Sequence, residues 1–572
     1  MTGAGGVYDK TYKKLALGTD MNIADTYQNW LKHTEENDEI FRELCSIEHD
    51  PEAIRDRFYK ELSFGTGGLR GRIGAGTNRM NIYTVGRVTF GLADYLLEKE
   101  HDSLCIAYDS RHKSLEFAKT VAGILSSRGI TVFIFDRIMP TPVLSYAVRK
   151  LNADAGIVIT ASHNPKEYNG YKVYNDKGCQ VTDAEAGAIA EKIKTYGYFN
   201  ECRAEEKRIR WLGGEILDSF LSDIETFSFS SDFDGKRLPK IVYTPLNGTG
   251  NLPMKKLFRK MGITDYVIVP EQENPDGNFP TCPFPNPEEK AALSKALELA
   301  EATGAGLVMA TDPDADRIGL AVRTADGTFR LLSGNETGVL MEYYILEEMK
   351  KQNRRSPRSY VVKTIVTTPL AEKIADSFDV KTYDVLTGFK YIGELIDRRP
   401  DEKFVFGMEE SYGYLVGTHA RDKDAISAAM TILGAVSYYA REGDTLVSAL
   451  EKIYARYGDY SSALISEYFE GEDGMHFMSD FMNRLRAKPW KTICKEPVRT
   501  VTDYAEGIDG LPKSNVLRFT CDSISVVVRP SGTEPKLKFY VTSVADSETA
   551  AGEKTKTVTE FLRTEVRPDR MT

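Results

Sequence analysis

Cysteine is scarce in this chain. Seven cysteines occur in 572 residues, they are scattered, and none forms a C-x-x-C pair. Since disulfide frameworks and structural zinc sites depend on paired cysteines, this pattern argues against both and favours a reducing compartment. The first residues lack a charged segment followed by an apolar core, so we expect no signal peptide and a cytoplasmic protein.

Long hydrophobic runs and an excess of positive charge are also missing. The longest uncharged run at helical spacing, residues 425–440, contains Ser427, Thr431 and Ser437. It is shorter than the roughly 20 residues that cross a bilayer, so we expect a buried helix and no membrane partner. The 84 acidic residues exceed the 74 basic ones, which gives a net charge of −10. This balance argues against nucleic-acid binding but permits an anionic small-molecule substrate in a locally basic cleft.

What remains has the composition of a soluble, multidomain α/β protein, with 41% hydrophobic and 28% charged residues. Residues 22–62 carry aromatic side chains at helical spacing and predict an N-terminal helical extension. Strands then alternate with helices in three segments of similar size, and a smaller C-terminal α+β segment follows. We predict four domains with boundaries at 1–212, 213–330, 331–460 and 461–572.

Individual elements are clearest in the first domain. Apolar runs predict strands at residues 103–108, 131–135 and 155–159, and helical periodicity predicts helices at 115–127 and 141–150. A further helix is expected at residues 288–303, after a proline-rich loop.

The most informative segment is Thr160–Pro165 (T-A-S-H-N-P), which follows the apolar residues 155–159. The apolar run predicts a buried strand, and Asn-Pro is a turn signal. A serine at such a strand end is exposed, and nearby backbone N–H groups can face an anion. Ser162 is therefore a candidate phosphate carrier. The alternative is that it only caps a turn.

A second loop, D-P-D-A-D-R, brings three carboxylates together after an apolar strand. Asp312, Asp314 and Asp316 alternate in the sequence and supply hard oxygen ligands for Mg²⁺, Mn²⁺ or Ca²⁺. An EF-hand does not fit, because Arg317 stands where that loop needs glycine and Arg323 where it needs a bidentate glutamate. Three carboxylates leave positions open for a phosphoryl oxygen, as a catalytic Mg²⁺ site requires. A solvated acidic turn is the alternative.

A third loop, R-P-S-G-T-E, suits a phosphate dianion. Arg529 offers a bidentate fork, and Ser531, Gly532 and Thr533 offer short donors. A plain β-turn would explain the Pro-Ser-Gly sequence but not the basic residues on both sides of it.

Three other loops carry weaker signals. The G-M-E-E-S loop places Glu409 and Glu410 beside Ser411, a set suited to sugar hydroxyls, although a charged surface loop is the alternative. The glycines of G-T-G-G-L-R allow close approach to an anion that Arg70 can reach. Arg70 occupies the third glycine position, so this is not a dinucleotide fingerprint. Lys390, in T-G-F-K, is a candidate for proton transfer if it lies beside a cation.

Together these loops resemble those of the α-D-phosphohexomutase superfamily, which includes phosphoglucomutases and phosphomannomutases. The T-A-S-H-N-P, D-P-D-A-D-R, G-x-E-E-S and R-P-S-G-T-E loops occur in that family's order, and with the glycine loop they span residues 64–536. The resemblance implies a four-domain, heart-shaped α/β architecture in which each domain gives one loop to a central cleft. It also implies one Mg²⁺ per chain, held by Asp312, Asp314, Asp316 and a phosphate on Ser162.

The resemblance implies roles for further side chains. Glu409, Glu410 and Ser411 match the sugar loop. The distal phosphate site matches Arg529, Ser531, Gly532 and Thr533. Family members place basic residues around the reacting phosphate and hydroxyl, and these match Arg70, His163, Lys172, Arg317 and Lys390. The resemblance also implies that Gly388 binds the substrate.

The sugar loop resembles that of glucose-preferring members, because the histidine of the dual-specificity and glucosamine enzymes is missing. The implied reaction converts glucose 1-phosphate to glucose 6-phosphate through phosphoserine and glucose 1,6-bisphosphate, which also serves as activator. A phosphopentomutase, a glucose 1,6-bisphosphate synthase and a sugar-phosphate-binding protein without catalysis stay open as alternatives. A serine hydrolase is disfavoured, because Ser162 lies in no G-x-S-x-G elbow. We expect a monomer or a weak homodimer.

Overall fold

The computed structural model describes residues 20–566, except 37, 66, 228–232, 470, 509 and 532–535. These residues form two compact units. The described part of the first unit comprises residues 20–227, 239–321 and 418–427. The described part of the second comprises residues 233–238, 322–417 and 428–566.

Helices and strands alternate along most of the described chain, as the sequence predicts for an α/β protein. The α-helices are α1 (Asp20–His33), α2 (Glu39–Ser46), α3 (Pro51–Phe58), α4 (Ile82–Glu98), α5 (Ser114–Ser127), α6 (Thr141–Lys150), α7 (Asp183–Ile193), α8 (Glu215–Glu225), α9 (Asn251–Lys260), α10 (Pro270–Glu273), α11 (Ser294–Thr303), α12 (Gly334–Lys351), α13 (Leu370–Ser377), α14 (Phe389–Arg398), α15 (Ala425–Arg441), α16 (Leu446–Tyr457), α17 (Gly471–Ala487) and α18 (Glu548–Val566).

The strands are β1 (Leu69–Arg72), β2 (Ser103–Tyr108), β3 (Thr131–Phe135), β4 (Ala155–Ile159), β5 (Tyr168–Asn175), β6 (Ile209–Leu212), β7 (Ile241–Thr244), β8 (Tyr266–Ile268), β9 (Leu307–Thr311), β10 (Ile318–Arg323), β11 (Phe329–Leu332), β12 (Ser359–Thr364), β13 (Lys381–Val385), β14 (Lys403–Glu409), β15 (Gly413–Val416), β16 (Asp459–Tyr468), β17 (Thr492–Ile493), β18 (Glu496–Pro497), β19 (Thr500–Asp503), β20 (Leu517–Thr520), β21 (Ile524–Pro530) and β22 (Lys536–Ala545).

The N-terminal helical extension predicted from the sequence is present as α1, α2 and α3. Trp30 of α1 is fully buried, and its ring lies 5.7 Å from that of Phe58, 5.5 Å from Tyr83 and 5.4 Å from Phe199. These aromatic contacts attach the extension to α4 and to the end of the first domain.

The first sheet of the first unit has the strand order β1-β5-β4-β2-β3-β6. β4, β2, β3 and β6 are parallel, whereas β5 is antiparallel to both β4 and β1. All five residues of β4 are buried, as expected for a parallel strand covered on both faces. The carboxyl ends of β2 and β4 lie at the same edge of the sheet, and there the Asp109 N–H donates to Ile159 O at 3.1 Å. The loops that follow these two strands are therefore neighbours.

The second sheet supplies the acidic loop. β7 is parallel to both β8 and β9, and β10 lies beside β9. β9 is buried throughout and leads directly into Asp312. A Cβ on Gly248 would lie 2.3 Å from Pro313 Cα, so this glycine lets the loop before α9 lie against the acidic loop.

Besides the two-stranded sheet β17-β18, the second unit contains two further sheets. One has the order β13-β12-β14-β15, in which β15 alone is antiparallel to its neighbour. The other has the order β16-β22-β21-β20-β19 and is antiparallel throughout. The second of these sheets has its own apolar core with α17 and α18. The antiparallel sheet with its two helices matches the C-terminal α+β segment predicted from the sequence.

The uncharged run at residues 425–440 forms most of α15, and its side chains are largely buried, as predicted. Within the residues that the structure describes, no helix is long and apolar enough to cross a membrane. The helix expected at residues 288–303 begins later, at Ser294, because residues 290–293 form a 3₁₀ turn.

Candidate active site

Ser162 lies in the loop that follows β4, in a strained backbone conformation. Its φ is +52°, in the left-handed region that non-glycine residues seldom adopt. The Ser162 N–H donates to Thr160 Oγ1 at 2.8 Å. The residue is only 4% exposed, so the expectation of an exposed serine is wrong, because the loop is packed against the acidic loop. Its hydroxyl donates to Asp312 Oδ2 at 2.8 Å and lies 3.2 Å from Nδ1 of His163. The structure therefore joins two loops that are 150 positions apart in the sequence.

The three aspartates of the second loop converge on one point. Asp312, Asp314 and Asp316 are fully buried, and one carboxylate oxygen of each lies within 4.8 Å of the others. Asp314 Oδ1 and Asp316 Oδ1 have no hydrogen-bond partner among the described residues. Buried carboxylate oxygens without donors are the ligand set that a hard divalent cation requires, so these residues fit a Mg²⁺ ion.

Lysine side chains balance part of this negative charge. Lys172 Nζ, on β5, lies 2.9 Å from Asp314 Oδ2 and 3.6 Å from Asp316 Oδ2. The Thr141 hydroxyl, at the start of α6, also donates to Asp314 Oδ2 at 2.9 Å. Lys172 is 6% exposed, so its ammonium group acts on these carboxylates with little screening by water.

The titration behaviour of the aspartates follows from these contacts. Burial raises the pKa of Asp312 well above its ordinary value, and the charges of Asp314 and Asp316 raise it further. Burial acts in the same direction on Asp314, but the charge and hydrogen bond of Lys172, the hydrogen bond with Asp312 and the charge of Lys423 together hold the pKa of Asp314 below its ordinary value. A cation among the three carboxylates would relieve the repulsion that raises the pKa of Asp312, which favours its binding.

Three of the predicted basic residues surround Ser162 in the same unit. Burial lowers the pKa of His163 well below its ordinary value, and the guanidinium groups of Arg317 and Arg70 lower it further, so this ring is neutral at pH 7. Arg70 is exposed, and its Nη1 donates to Asn164 Oδ1 at 3.1 Å. Arg317 Nη1 donates to Glu288 Oε1 at 2.5 Å. Arg70 and Arg317 thus bring two guanidinium groups close to His163, where they suit an anionic substrate.

Sequence reasoning missed a further segment of this site, residues 418–424 (T-H-A-R-D-K-D). Lys423 Nζ lies 3.0 Å from Asp316 Oδ2, and Asp422 accepts a 2.8 Å hydrogen bond from the Tyr174 hydroxyl. Both charged side chains are buried. The signal that was available is a run of four charged residues, 421–424, placed directly before the apolar helix α15.

In the second unit, the predicted sugar loop follows β14. Glu409 is buried, and its Oε1 accepts a 2.9 Å hydrogen bond from the Gly388 N–H. Gly388 has a φ of +123°, which only glycine adopts without strain. Glu410 Oε2 accepts hydrogen bonds from the hydroxyls of Thr364 and Thr367 at 3.2 and 3.4 Å. The ends of β12, β13 and β14 thus hold both glutamates.

The C-terminal domain brings Arg529 to the same region of the second unit. Arg529 hydrogen-bonds the Tyr540 hydroxyl, and burial, with the nearby charge of Glu410, raises the pKa of Tyr540. The N–H of Ser531 donates to Lys536 O at 2.8 Å, which closes the loop after β21. Lys390 Nζ lies 4.7 Å above the ring of Tyr391.

Not every predicted site residue can be placed in this way. Ser411 is partly buried at the start of the turn between β14 and β15. Gly532 and Thr533 lie outside the described residues.

The chain matches family models over most of its length. The models described as phosphoglucomutase/phosphomannomutase alpha/beta/alpha domains I, II and III match residues 61–198, 218–327 and 333–457. The model of the C-terminal domain of the same family matches residues 494–559. The matches follow one another in the family's domain order.

Curated relatives agree with this match. A phosphoglucomutase of Staphylococcus saprophyticus is 36% identical over 89% of this chain and 95% of its own length. A phosphoglucomutase of Staphylococcus aureus is 34% identical over 90% of this chain and 94% of its own length.

Solved structures share the fold at low sequence identity. A phosphoglucomutase/phosphomannomutase family protein from Burkholderia thailandensis has a TM-score of 0.67 at 18% identity, covering 88% of this chain and 98% of its own. Parafusin, a phosphoglucomutase from Paramecium, has a TM-score of 0.66 at 16% identity, covering 89% of this chain and 95% of its own. This chain therefore belongs to the phosphoglucomutase/phosphomannomutase family of the α-D-phosphohexomutases.

Proposed function

We propose that this protein is a phosphoglucomutase, which interconverts glucose 1-phosphate and glucose 6-phosphate by way of a phosphate carried on Ser162. The 2.8 Å contact between the Ser162 hydroxyl and the buried Asp312 carboxylate supports this most directly. A phosphate on that hydroxyl would stand beside the three-aspartate cluster. Curated relatives at 34–36% identity are phosphoglucomutases, which favours the hexose reaction over the pentose alternative.

In the proposed first half-reaction, the phosphorus–oxygen bond to Ser162 breaks as a free hydroxyl of the sugar phosphate attacks in line. The sugar hydroxyl loses its proton, Ser162 Oγ gains one, and glucose 1,6-bisphosphate is formed. In the second half-reaction the other phosphate of the bisphosphate returns to Ser162. We assign the exchange of the serine proton to the neutral imidazole of His163, which lies 3.2 Å from Ser162 Oγ.

Asp312, Asp314 and Asp316, with the phosphate on Ser162, would hold one Mg²⁺ per chain. This ion would supply neutralisation of the charge on the transferring phosphoryl group. Lys172 would orient Asp314 through its 2.9 Å contact and would interact with Asp316 at 3.6 Å. Arg70 and Arg317 would bind the reacting phosphate as charged donors.

The remaining predicted residues would bind the sugar and its second phosphate. We assign Glu409, Glu410, Ser411 and Gly388 to the sugar hydroxyls, Lys390 to proton transfer, and Arg529, Ser531, Gly532 and Thr533 to the distal phosphate. The division into four domains at residues 212, 330 and 460, and a monomer or weak homodimer, are also part of the proposal.

Phosphorus NMR tests the reaction directly. The protein, with Mg²⁺ and a trace of glucose 1,6-bisphosphate, is offered glucose 1-phosphate, mannose 1-phosphate and ribose 1-phosphate in parallel. We expect fast formation of glucose 6-phosphate, abolished in Ser162→Ala and kept in the control Ser46→Ala, which changes an exposed serine of α2. Faster turnover of ribose 1-phosphate would replace the hexose assignment, and no turnover of any substrate would refute the mutase proposal.

A further inference from the structure

A single buried arginine holds the loop that carries Ser162. Arg111 lies between β2 and α5, and its side chain is fully buried. Its Nη1 donates to the carbonyl oxygens of Pro165 at 2.8 Å and Tyr168 at 3.2 Å. Its Nη2 donates to the carbonyl oxygens of Ser162 and Asn164, each at 2.5 Å. One guanidinium group therefore gathers four carbonyl groups from seven consecutive residues.

The guanidinium is itself held on its other sides. Asp109 is fully buried, and its Oδ2 lies 3.3 Å from Arg111 Nε. Asp109 Oδ1 accepts hydrogen bonds from the Ser114 hydroxyl at 2.7 Å and from the Arg111 N–H at 3.0 Å. The ring of Phe279, from the second domain, lies 5.0 Å from the guanidinium carbon. Since Arg111 is fixed by these partners, it can act as a rigid support for the serine loop.

The hydrogen bonds from Arg111 also constrain the backbone at Ser162. The described residues contain no cis peptide bond, so the N–H of each peptide points away from its C=O. With Ser162 O directed at Arg111, the N–H of His163 is directed away from the guanidinium. The φ of +52° at Ser162 is unfavourable for a serine and needs such an external restraint. Arg111 supplies the restraint through the Ser162 carbonyl itself.

We infer that Arg111 is a positioning residue for the phosphoryl transfer, because it holds Ser162 in the strained conformation that places its hydroxyl against Asp312. This inference rests on the proposed function. It adds to that function a residue whose guanidinium hydrogen bonds go to the carbonyl groups of the serine loop.

The test compares two variants that weaken this support in different ways. Arg111→Lys keeps the buried charge beside Asp109 but loses the fork that reaches four carbonyls. The pair Asp109→Asn with Arg111→Gln removes both buried charges together, which avoids leaving one unpaired. The matched control is the pair Asp136→Asn with Arg137→Gln, an exposed ion pair in the same domain.

Three quantities are measured on each variant: kcat and KM for glucose 1-phosphate, thermal unfolding, and amide hydrogen exchange over residues 160–168. We expect kcat to fall by about 100-fold in both Arg111 variants while KM changes little, because a misplaced reacting group costs rate rather than binding. Exchange should accelerate in residues 160–168 and stay unchanged in β2 and α5. The control should match the wild type throughout.

Two results would overturn the inference. One is a kcat close to that of the wild type in a folded Arg111 variant. The other is a loss of kcat that only follows the loss of folded protein, with uniform acceleration of exchange across the domain. If the wild type itself shows no phosphoryl transfer, the proposed function fails instead, and the exchange comparison alone decides whether Arg111 holds the loop.

Discussion

Most substitutions of buried residues destabilise a protein, but we expect the removal of one charge from the three-aspartate cluster to stabilise it. Two unit charges 4.8 Å apart, the upper limit for the ligand oxygens of this cluster, repel by about 3.5 kcal/mol at an effective dielectric constant of about 20. Asp312 faces two such neighbours, Asp314 and Asp316. The short contact of Lys172 goes to Asp314 and does not offset the charge of Asp312 directly. Asp312→Asn removes one charge and keeps the shape of the side chain. We therefore expect the variant to be more stable than the wild type in EDTA, by about 3.5 kcal/mol where Asp312 is charged, and by less where a proton already neutralises Asp312.

The same variant should lose the stabilisation that Mg²⁺ gives. At a Mg²⁺ concentration about 100 times its Kd, the wild type should gain about 2.7 kcal/mol, and Asp312→Asn should gain much less. Urea unfolding in EDTA and in Mg²⁺ measures both effects. Asp379→Asn, which changes a side chain that is 94% exposed, is the control and should behave as the wild type in both buffers.

Asp312 accepts hydrogen bonds from the Ser162 hydroxyl and from the N–H groups of Asp316 and Arg317. A destabilisation of Asp312→Asn by more than about 2 kcal/mol in EDTA would refute the reasoning, because these hydrogen bonds would then outweigh the repulsion between the carboxylates. A gain in Mg²⁺ equal to that of the wild type would refute the assignment of Asp312 as a ligand.

Three further predictions concern other parts of the chain. Trp30→Ala should cost about 3–5 kcal/mol in urea unfolding, because the ring is fully buried among aromatic side chains; a cost below 1 kcal/mol would show that the N-terminal helices contribute little. Burial raises the pKa of Glu342 well above its ordinary value of 4.5, so its ionisation destabilises the fold as pH rises through the raised pKa. Glu342→Gln should therefore raise the thermal midpoint at pH 8 and leave it unchanged near pH 4.5, and an equal effect at both would contradict this. Gly388→Ala should raise KM for glucose 1-phosphate roughly tenfold, because a φ of +123° strains alanine and moves the N–H that binds Glu409; an unchanged KM would remove Gly388 from the site.

The parts of the fold that the sequence predicts well are those where burial is continuous. The strands at residues 103–108 and 131–135 and the helix at 141–150 have the predicted bounds, because each is a nearly uninterrupted apolar or periodic segment. β5 was missed for a physical reason. Its residues include Asn169 and Lys172, which are buried with distant partners and read as loop residues in isolation.

In the candidate site, too, contiguous motifs were predicted, whereas residues that depend on distant partners were missed. The motifs around Ser162 and Asp312 are contiguous, so their residue types alone indicate a phosphate and a metal. Arg111 gave no signal, and the charged run that contains Lys423 did not indicate its partner, because both residues act through contacts with Asp316 or with the carbonyl groups of the serine loop. A charged side chain is unremarkable in a sequence until its burial and its partner are known.

Phosphopeptide mapping after reaction with labelled glucose 1,6-bisphosphate tests the central claim most directly. The protein is mixed with Mg²⁺ and the ³²P-labelled compound, quenched, digested and mapped, and a second sample is chased with unlabelled glucose 1-phosphate before quenching. We predict label on Ser162 that the chase transfers to the sugar within the turnover time. Turnover without label on Ser162, or label on Ser162 that the chase does not remove, would contradict the claim that this serine carries the transferred phosphate.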